Sequence, residues 1–376
     1  MSKETSTAIV RVEVYGYVLT YAHGDYVMSQ GRVVNQLDST VARVITAGGI
    51  SGFGETCPLG TTYLPAHSEG ARAALPLLAS AVIGADVANP AELRSRMDAA
   101  LRGSEYAKAA LDSACWDAMG RAAGLPTSQL LGGRLQDRLP LYVAVPLGSP
   151  AEMEAFVEQQ RSLGIHHFQL KVGGRPQEDV ERIAAVLAAT GQEDALIADA
   201  NGGWHRQDAM IVARQVERLD SSHRLRLEQP CPTLEESLSV RRATTLPMVL
   251  DEVIVDLPSL MRAVELGAME HINLKLSRVG GLGPARAIRD VAVDLGLRLT
   301  IEDSWGGDIV TAAIAHLAHS TLPNHLFTST DFNSYVTTST ATGAPQRKKG
   351  KMAASKQPGL GIEPKMDVLG LSLIHI

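Results

Sequence analysis

Apolar positions along this chain fall into two textures. Residues 8–20 and 38–46 are rich in Val, Thr and Tyr and read as strands; a third, over 53–57, follows the turn signal Gly49-Ile50-Ser51-Gly52. Ala-rich segments around 67–83, 90–101 and 105–123 then show helical spacing. Strands first and helices after is an α+β order. A boundary is expected near residue 135, after Leu131-Gly132-Gly133.

Beyond that boundary, short apolar runs alternate with helical patterns. The runs are LYVAV (141–145), FQLKV (168–172), ALIADA (195–200), LRLEQP (225–230), MVLDE (248–252), INLKL (272–276) and LTIED (299–303). Helix-like stretches at 177–189, 207–219, 233–243, 257–267 and 283–295 lie between them. Repeated βα units imply a parallel sheet. With an eighth strand near 325–329 they predict a closed (β/α)8 barrel over 136–330. The loop-rich tail, 331–376, has no room for further units and is expected to return to the first domain, 1–135.

At 376 residues the chain is long enough for two cores, and its net charge of −6 comes from interspersed acids and bases. No basic stripe suggests nucleic acid; Arg347-Lys348-Lys349 reads as a solvated turn. Three scattered cysteines argue against a disulfide framework and a thiolate zinc site. No signal-peptide core opens the sequence, and no uncharged apolar run is of membrane-spanning length. The expectation is a soluble cytoplasmic protein.

Charge recurs at the strand ends. Lys171, Asp199, Glu228, Asp251 and Lys275 follow at intervals of 28, 29, 23 and 24 residues, about one βα unit each. A lone acid or lysine of this kind is commonly a solvated loop residue. Five on consecutive strands of a barrel converge on one face, where barrel active sites sit. Three clustered carboxylates need a cation, and hard oxygen ligands suit Mg²⁺, with Mn²⁺ tolerated. Lys171 and Lys275 lie on opposite sides of the acid arc. Such lysines could take a proton from one face of a carbon beside a carboxylate and return one from the other. Collapse of the resulting carbanion gives epimerisation, or dehydration if a β-hydroxyl leaves.

This order of residues resembles the muconate-lactonizing subgroup of the enolase superfamily. The stretches FQLKVGG (168–174), DANGGW (199–204), EQPC (228–231), INLKLSRVGGL (272–282), TIEDSWGGD (300–308), TDFNSY (330–335) and PGLGI (358–362) carry the likeness over nearly the whole chain. The resemblance implies an N-terminal capping domain over the barrel mouth and a homo-oligomer. It implies Asp199, Glu228 and Asp251 as magnesium ligands and Lys171 and Lys275 as the acid/base pair. Cap segments 21–31 and 56–64 would touch substrate, with Tyr26, Cys57 and Tyr63 as candidates; Asp303 and Trp305 would shape the pocket. Many relatives carry Lys-x-Lys on the second barrel strand, whereas this chain has Gln169, which could bind the substrate carboxylate. The final LSLIHI departs from the family pattern and is assigned no function.

Within the subgroup the likeness points to members acting on proline derivatives. The implied reaction is dehydration of cis-3-hydroxy-L-proline to Δ1-pyrroline-2-carboxylate, with competing 2-epimerisation. A 2-epimerase of hydroxyproline or proline betaines is the nearest rival, and a non-catalytic ligand-binding barrel the rival of another class. No GxSxG or HExxH motif supports a hydrolase. Gly280-Gly281-Leu282-Gly283 lacks a P-loop lysine and reads as a βα turn.

Overall fold

The computed structural model describes residues 6–219 and 224–376; the first five residues of the segment searched for a leader lie outside it. The N-terminal unit is an antiparallel sheet of β1 (Ile9–Thr20), β2 (Gln36–Thr46) and β3 (Ser51–Thr56). Three helices pack with it: α1 (Ser68–Val82), α2 (Pro90–Ala100) and α3 (Glu105–Ala123). Asn89 starts α2 by accepting from the Glu92 amide, with Pro90 pre-set in the first turn. Val12, Val14 and Val44 bury against Leu75, Leu78, Leu111 and Ala114 to form a core of their own.

Gly52 corrects the sequence reading. The turn is confined to residues 47–50, and Gly52 lies inside β3. A Cβ there would sit 2.1 Å from the Ala114 carbonyl oxygen, so glycine is required by the close approach of α3.

Eight parallel strands build the second unit: β4 (Val143–Val145), β5 (His167–Lys171), β6 (Ala195–Asp199), β7 (Leu225–Glu228), β8 (Met248–Leu250), β9 (His271–Lys275), β10 (Arg298–Glu302) and β11 (Leu326–Ser329). They neighbour one another in chain order. Leu141, just ahead of β4, bridges Ser329 of β11 in parallel and closes the ring. The intervening helices are α4 (Pro150–Ser162), α5 (Pro176–Ala189), α6 (Arg206–Leu219), α7 (Leu234–Arg241), α8 (Leu257–Glu265), α9 (Leu282–Asp294) and α10 (Asp308–His319). The eighth strand is followed by a single 3-10 turn, Phe332–Ser334, rather than by an eighth barrel helix. Gly280 and Gly281, both at positive φ, join a short helix to α9 as a turn.

Phe327 plugs the N-terminal end of the ring. Its side chain packs with Ile197 and Val249. Around it stand the His271 and His167 rings, at 4.9 and 5.2 Å, and the Arg226 and Arg298 guanidiniums, at 4.4 and 5.1 Å.

The tail runs back across the first unit. Arg121 of α3 donates to the Ile362 carbonyl at 2.6 Å, and Ile374–His375, here β12, pairs antiparallel with β1. The closing residues, assigned no function from sequence, thus form a sheet edge. Arg347 is a second correction: it is no solvated residue but binds both oxygens of the buried Asp331. The three cysteines are buried and free, and no helix among the described residues is long and apolar enough to cross a membrane.

Two buried imidazoles on α10 pin these connections. His316 accepts from the Ser128 amide at 3.1 Å and faces the Leu360 carbonyl; His319 accepts from the Ala354 amide at 3.0 Å and faces the Gln136 carbonyl. Each is therefore neutral, with one nitrogen donating and the other accepting. Burial pushes both down to about 4. An unfolded imidazole titrates near about 6.5, so between those values the unfolded chain binds protons that the fold excludes. Their contribution is full above about pH 6.5 and is lost as pH falls, by at most about 2 kcal/mol each at pH 5. Thermal unfolding should shift steadily downward from pH 7 to 5, and His316→Gln should flatten that slope. Equal slopes would clear this imidazole of the effect.

Candidate active site

Strand register brings the charged residues together. Lys171 of β5 lies beside Asp199 of β6, and Asp199 beside Glu228 of β7. Asp251 follows the end of β8, and Lys275 ends β9 beside Glu302 of β10. In a ring of eight, β5 and β9 are four strands apart, so the two lysines approach from opposite walls. Both line one cavity, together with Gln169, Tyr26, Tyr63, Asp303 and Trp305. Its free volume is about 30 Å³, room for a couple of waters, so a ring-sized ligand needs the cap side chains to move.

The carboxylates have distinct partners. Lys171 Nζ donates to Asp199 Oδ2. Lys275 Nζ donates to Asp251 Oδ2 at 2.8 Å, and Arg278 Nη1 to Asp251 Oδ1 at 2.7 Å. Burial alone would push the Asp251 carboxyl up, but Arg278 and Lys275 outweigh it and hold it well below its ordinary value. Glu228 instead accepts amide hydrogens, two contacts from Gln169 Nε2 at 3.0 Å and one from Asn273 Nδ2 at 2.6 Å. Burial, then the Asp199 and Asp251 charges, push it up. Burial likewise opposes the lysine charges, yet Asp199 and Asp251 hold both ammoniums above their ordinary value.

This donor set fits a hard divalent ion. It offers three carboxylates on adjacent strands, with the central one hydrogen-bonded by neutral amides and offset in charge by Lys171. A cation there would relieve Glu228 and compete with the lysines for Asp199 and Asp251, favouring release of their protons. A second acidic group, His166, Glu193 and Asp194, lies at the other end of β5 and β6. Arg161 already pairs with both of its acids, and it carries no assignment.

Most of the sequence-expected residues meet here. Tyr63 reaches down from the cap; its hydroxyl donates to Asp251 Oδ2 at 3.1 Å and accepts from Lys275 at 3.0 Å. Gln169 sits on the same side as Lys171 but donates to Glu228. Asp303 is held by the Ser277 hydroxyl and amide and the Ser304 amide. Trp305 stands among Tyr21, Tyr26, Phe332 and Tyr335, with ring centroids 5.2–5.9 Å away. Cys57 is not brought to the cavity. Its thiol is fully buried and faces the Asp38 carbonyl at 3.8 Å, beneath the cap loop.

Several site residues escape the strand-end rhythm. Asn273 precedes Lys275 by two, as Gln169 precedes Lys171, and alternation alone could have found it. Arg278 lies one helical turn past Lys275. Tyr142 meets Glu302, itself a strand-end acid in the same rhythm, across the closure of the ring, where the Tyr142 hydroxyl donates to Glu302 Oε2. No local pattern marks that contact.

The chain matches two family models, the mandelate racemase / muconate lactonizing enzyme N-terminal domain over residues 14–132 and the enolase C-terminal domain-like model over 152–368. It belongs to the enolase superfamily. A cis-3-hydroxy-L-proline dehydratase of Roseibium aggregatum is 48% identical over 96% of this chain and 98% of its own. A mandelate racemase/muconate lactonizing enzyme from Roseovarius nubinhibens superposes with a TM-score of 0.93 at 39% identity, covering 98% of this chain and 99% of the other. Another superfamily member from that organism, crystallised with magnesium, gives 0.92 at 32% identity over 98% and 99%. These likenesses place the cap and barrel described above in the enolase-superfamily fold.

Proposed function

We propose that this superfamily member dehydrates cis-3-hydroxy-L-proline to Δ1-pyrroline-2-carboxylate, with Mg²⁺ held by Asp199, Glu228 and Asp251. The observation that carries the chemistry is two lysines from opposite walls lining one cavity beside three buried carboxylates. The substrate comes from the likeness to the Roseibium dehydratase, which spans nearly the full length of both chains.

In the cis isomer the 3-hydroxyl shares the carboxylate face, and the α-hydrogen lies on the other. Losing both is an anti elimination, which requires a base on one face and an acid on the opposite one. Lys171 and Lys275 are disposed to serve those two roles. Bound at the carboxylates, Mg²⁺ would supply positive charge against the substrate carboxylate and acidify the adjacent C–H. Gln169 and Asn273 hold Glu228 in place for that task. Tyr63 ties the cap to Lys275 and Asp251, so closing the cap excludes water from the reacting carbon. The first product, an enamine, tautomerises to the pyrroline. Reprotonation of the α-carbon from the far face instead gives the 2-epimer as a minor product.

Proton NMR in D₂O with Mg²⁺ tests this. The substrate H2 and H3 signals should disappear as the pyrroline grows. EDTA should stop turnover and added Mg²⁺ or Mn²⁺ restore it. An inverted α-centre with the hydroxyl fully retained would make the protein a 2-epimerase instead; turnover indifferent to EDTA would remove the metal from the reading.

A further inference from the structure

The proposed substrate carries a secondary ammonium, and the cavity already holds two lysines. A third positive charge needs a carboxylate not committed elsewhere. Two acids line the cavity, Glu302 and Asp303. Both Asp303 oxygens are already engaged: Oδ2 accepts from the Ser277 amide and hydroxyl at 3.1 and 2.8 Å, and Oδ1 from the Ser304 amide at 2.7 Å. Glu302 is different. Tyr142 holds its Oε2, while Oε1, fully buried, has no hydrogen-bond partner. Lys275 Nζ forms an ion pair with Oε1 at 3.6 Å, beyond hydrogen-bond reach, so the oxygen still lacks a donor; the two residues are neighbours in strand register.

We propose that Glu302 receives the ring ammonium of the substrate and so selects free cyclic imino acids; this rests on the reading above. The ring nitrogen is one bond from the α-carbon. A carboxylate beside Lys275 therefore places that nitrogen where the lysine can reach the reacting centre. Tyr142 fixes the carboxylate from behind and leaves one oxygen for the ligand. Tyr26, Trp305, Phe332 and Tyr335 wall the cavity, and this aromatic surround strengthens a charge-assisted hydrogen bond there.

The test is calorimetric binding to the magnesium-loaded protein with three ligands: L-proline, tetrahydrofuran-2-carboxylate (oxygen replaces the amine) and N,N-dimethyl-L-proline (a cation with no N–H). Wild type should bind L-proline roughly 10- to 100-fold more tightly than either analogue, the range expected for a hydrogen bond to a charged group. Glu302→Gln keeps an acceptor for Tyr142 and should bring the three within about threefold, the residue of a 10-fold preference once that charged bond is removed. Equal affinities in wild type, or a preference that survives Glu302→Gln, would overturn the assignment. If dimethylproline matches proline, the aromatic walls rather than Glu302 recognise the charge. Equal wild-type affinities overturn the assignment even if Glu302→Gln does not fold. Absence of dehydration by wild type would instead count against the proposed reaction, whatever the ligand preference.

Discussion

Alanine at Lys171 or at Lys275 is expected to lower dehydration of cis-3-hydroxy-L-proline by at least about 10³-fold, within the range for losing a positioned general acid or base. Both ammoniums are buried, line the same cavity and come from opposite walls, so neither can substitute for the other. The variants should differ in a second readout. The one lacking the base should also lose exchange of the α-hydrogen with D₂O. The one lacking the acid should keep exchange and lose only expulsion of the hydroxyl. Each leaves a buried carboxylate without its lysine, so folding is checked by thermal unfolding in the presence of Mg²⁺. Undiminished dehydration in either variant would remove that lysine from the mechanism.

Glu55→Ala should produce the largest loss of stability. The Glu55 side chain leaves the cap sheet and enters the N-terminus of α10 in the barrel unit. It accepts from the Gly307 amide at 2.9 Å and the Val310 amide at 3.0 Å, and from Ser39 Oγ at 2.7 Å and the Tyr17 hydroxyl. Removing it leaves four donors without this acceptor, two of them at a helix N-terminus that favours a negative charge. The cost is on the order of 4 kcal/mol, a fall in Tm of roughly 5 °C for a chain of this length. Because Tyr26 and Tyr63 come from the same cap, KM should rise as well. An unchanged Tm would show that the two units are held together elsewhere.

How much of this was legible in the sequence differs by residue. Lys171, Asp199, Glu228, Asp251 and Lys275 were readable because a βα unit has nearly constant length, so strand ends recur at a readable interval. The cap helices showed through their apolar spacing, and α3 ended where Gly124 adopts a left-handed conformation. Gly52 misled because glycine marks both turns and close packing, and only the position of α3 distinguishes them. Arg347 looked solvated because its partner, Asp331, is distant in helix-and-strand terms but adjacent once the tail folds back. The contact between Tyr142 and Glu302 was invisible because it depends on how the ring closes; Glu302 itself lay within the strand-end rhythm. Cys57 shares its loop with Tyr63, yet sequence alone gives no sign of which side chain turns inward.

Phe327, packed against two guanidiniums at the floor of the ring, has one more consequence. A tube stoppered at one end has a single doorway. Reactant and product must use the same passage in turn, beneath the loops that carry Tyr26 and Tyr63. Traffic through that doorway, rather than bond-breaking, is then a natural place for the turnover rate to be set. Substitutions that loosen those loops should speed departure while weakening retention.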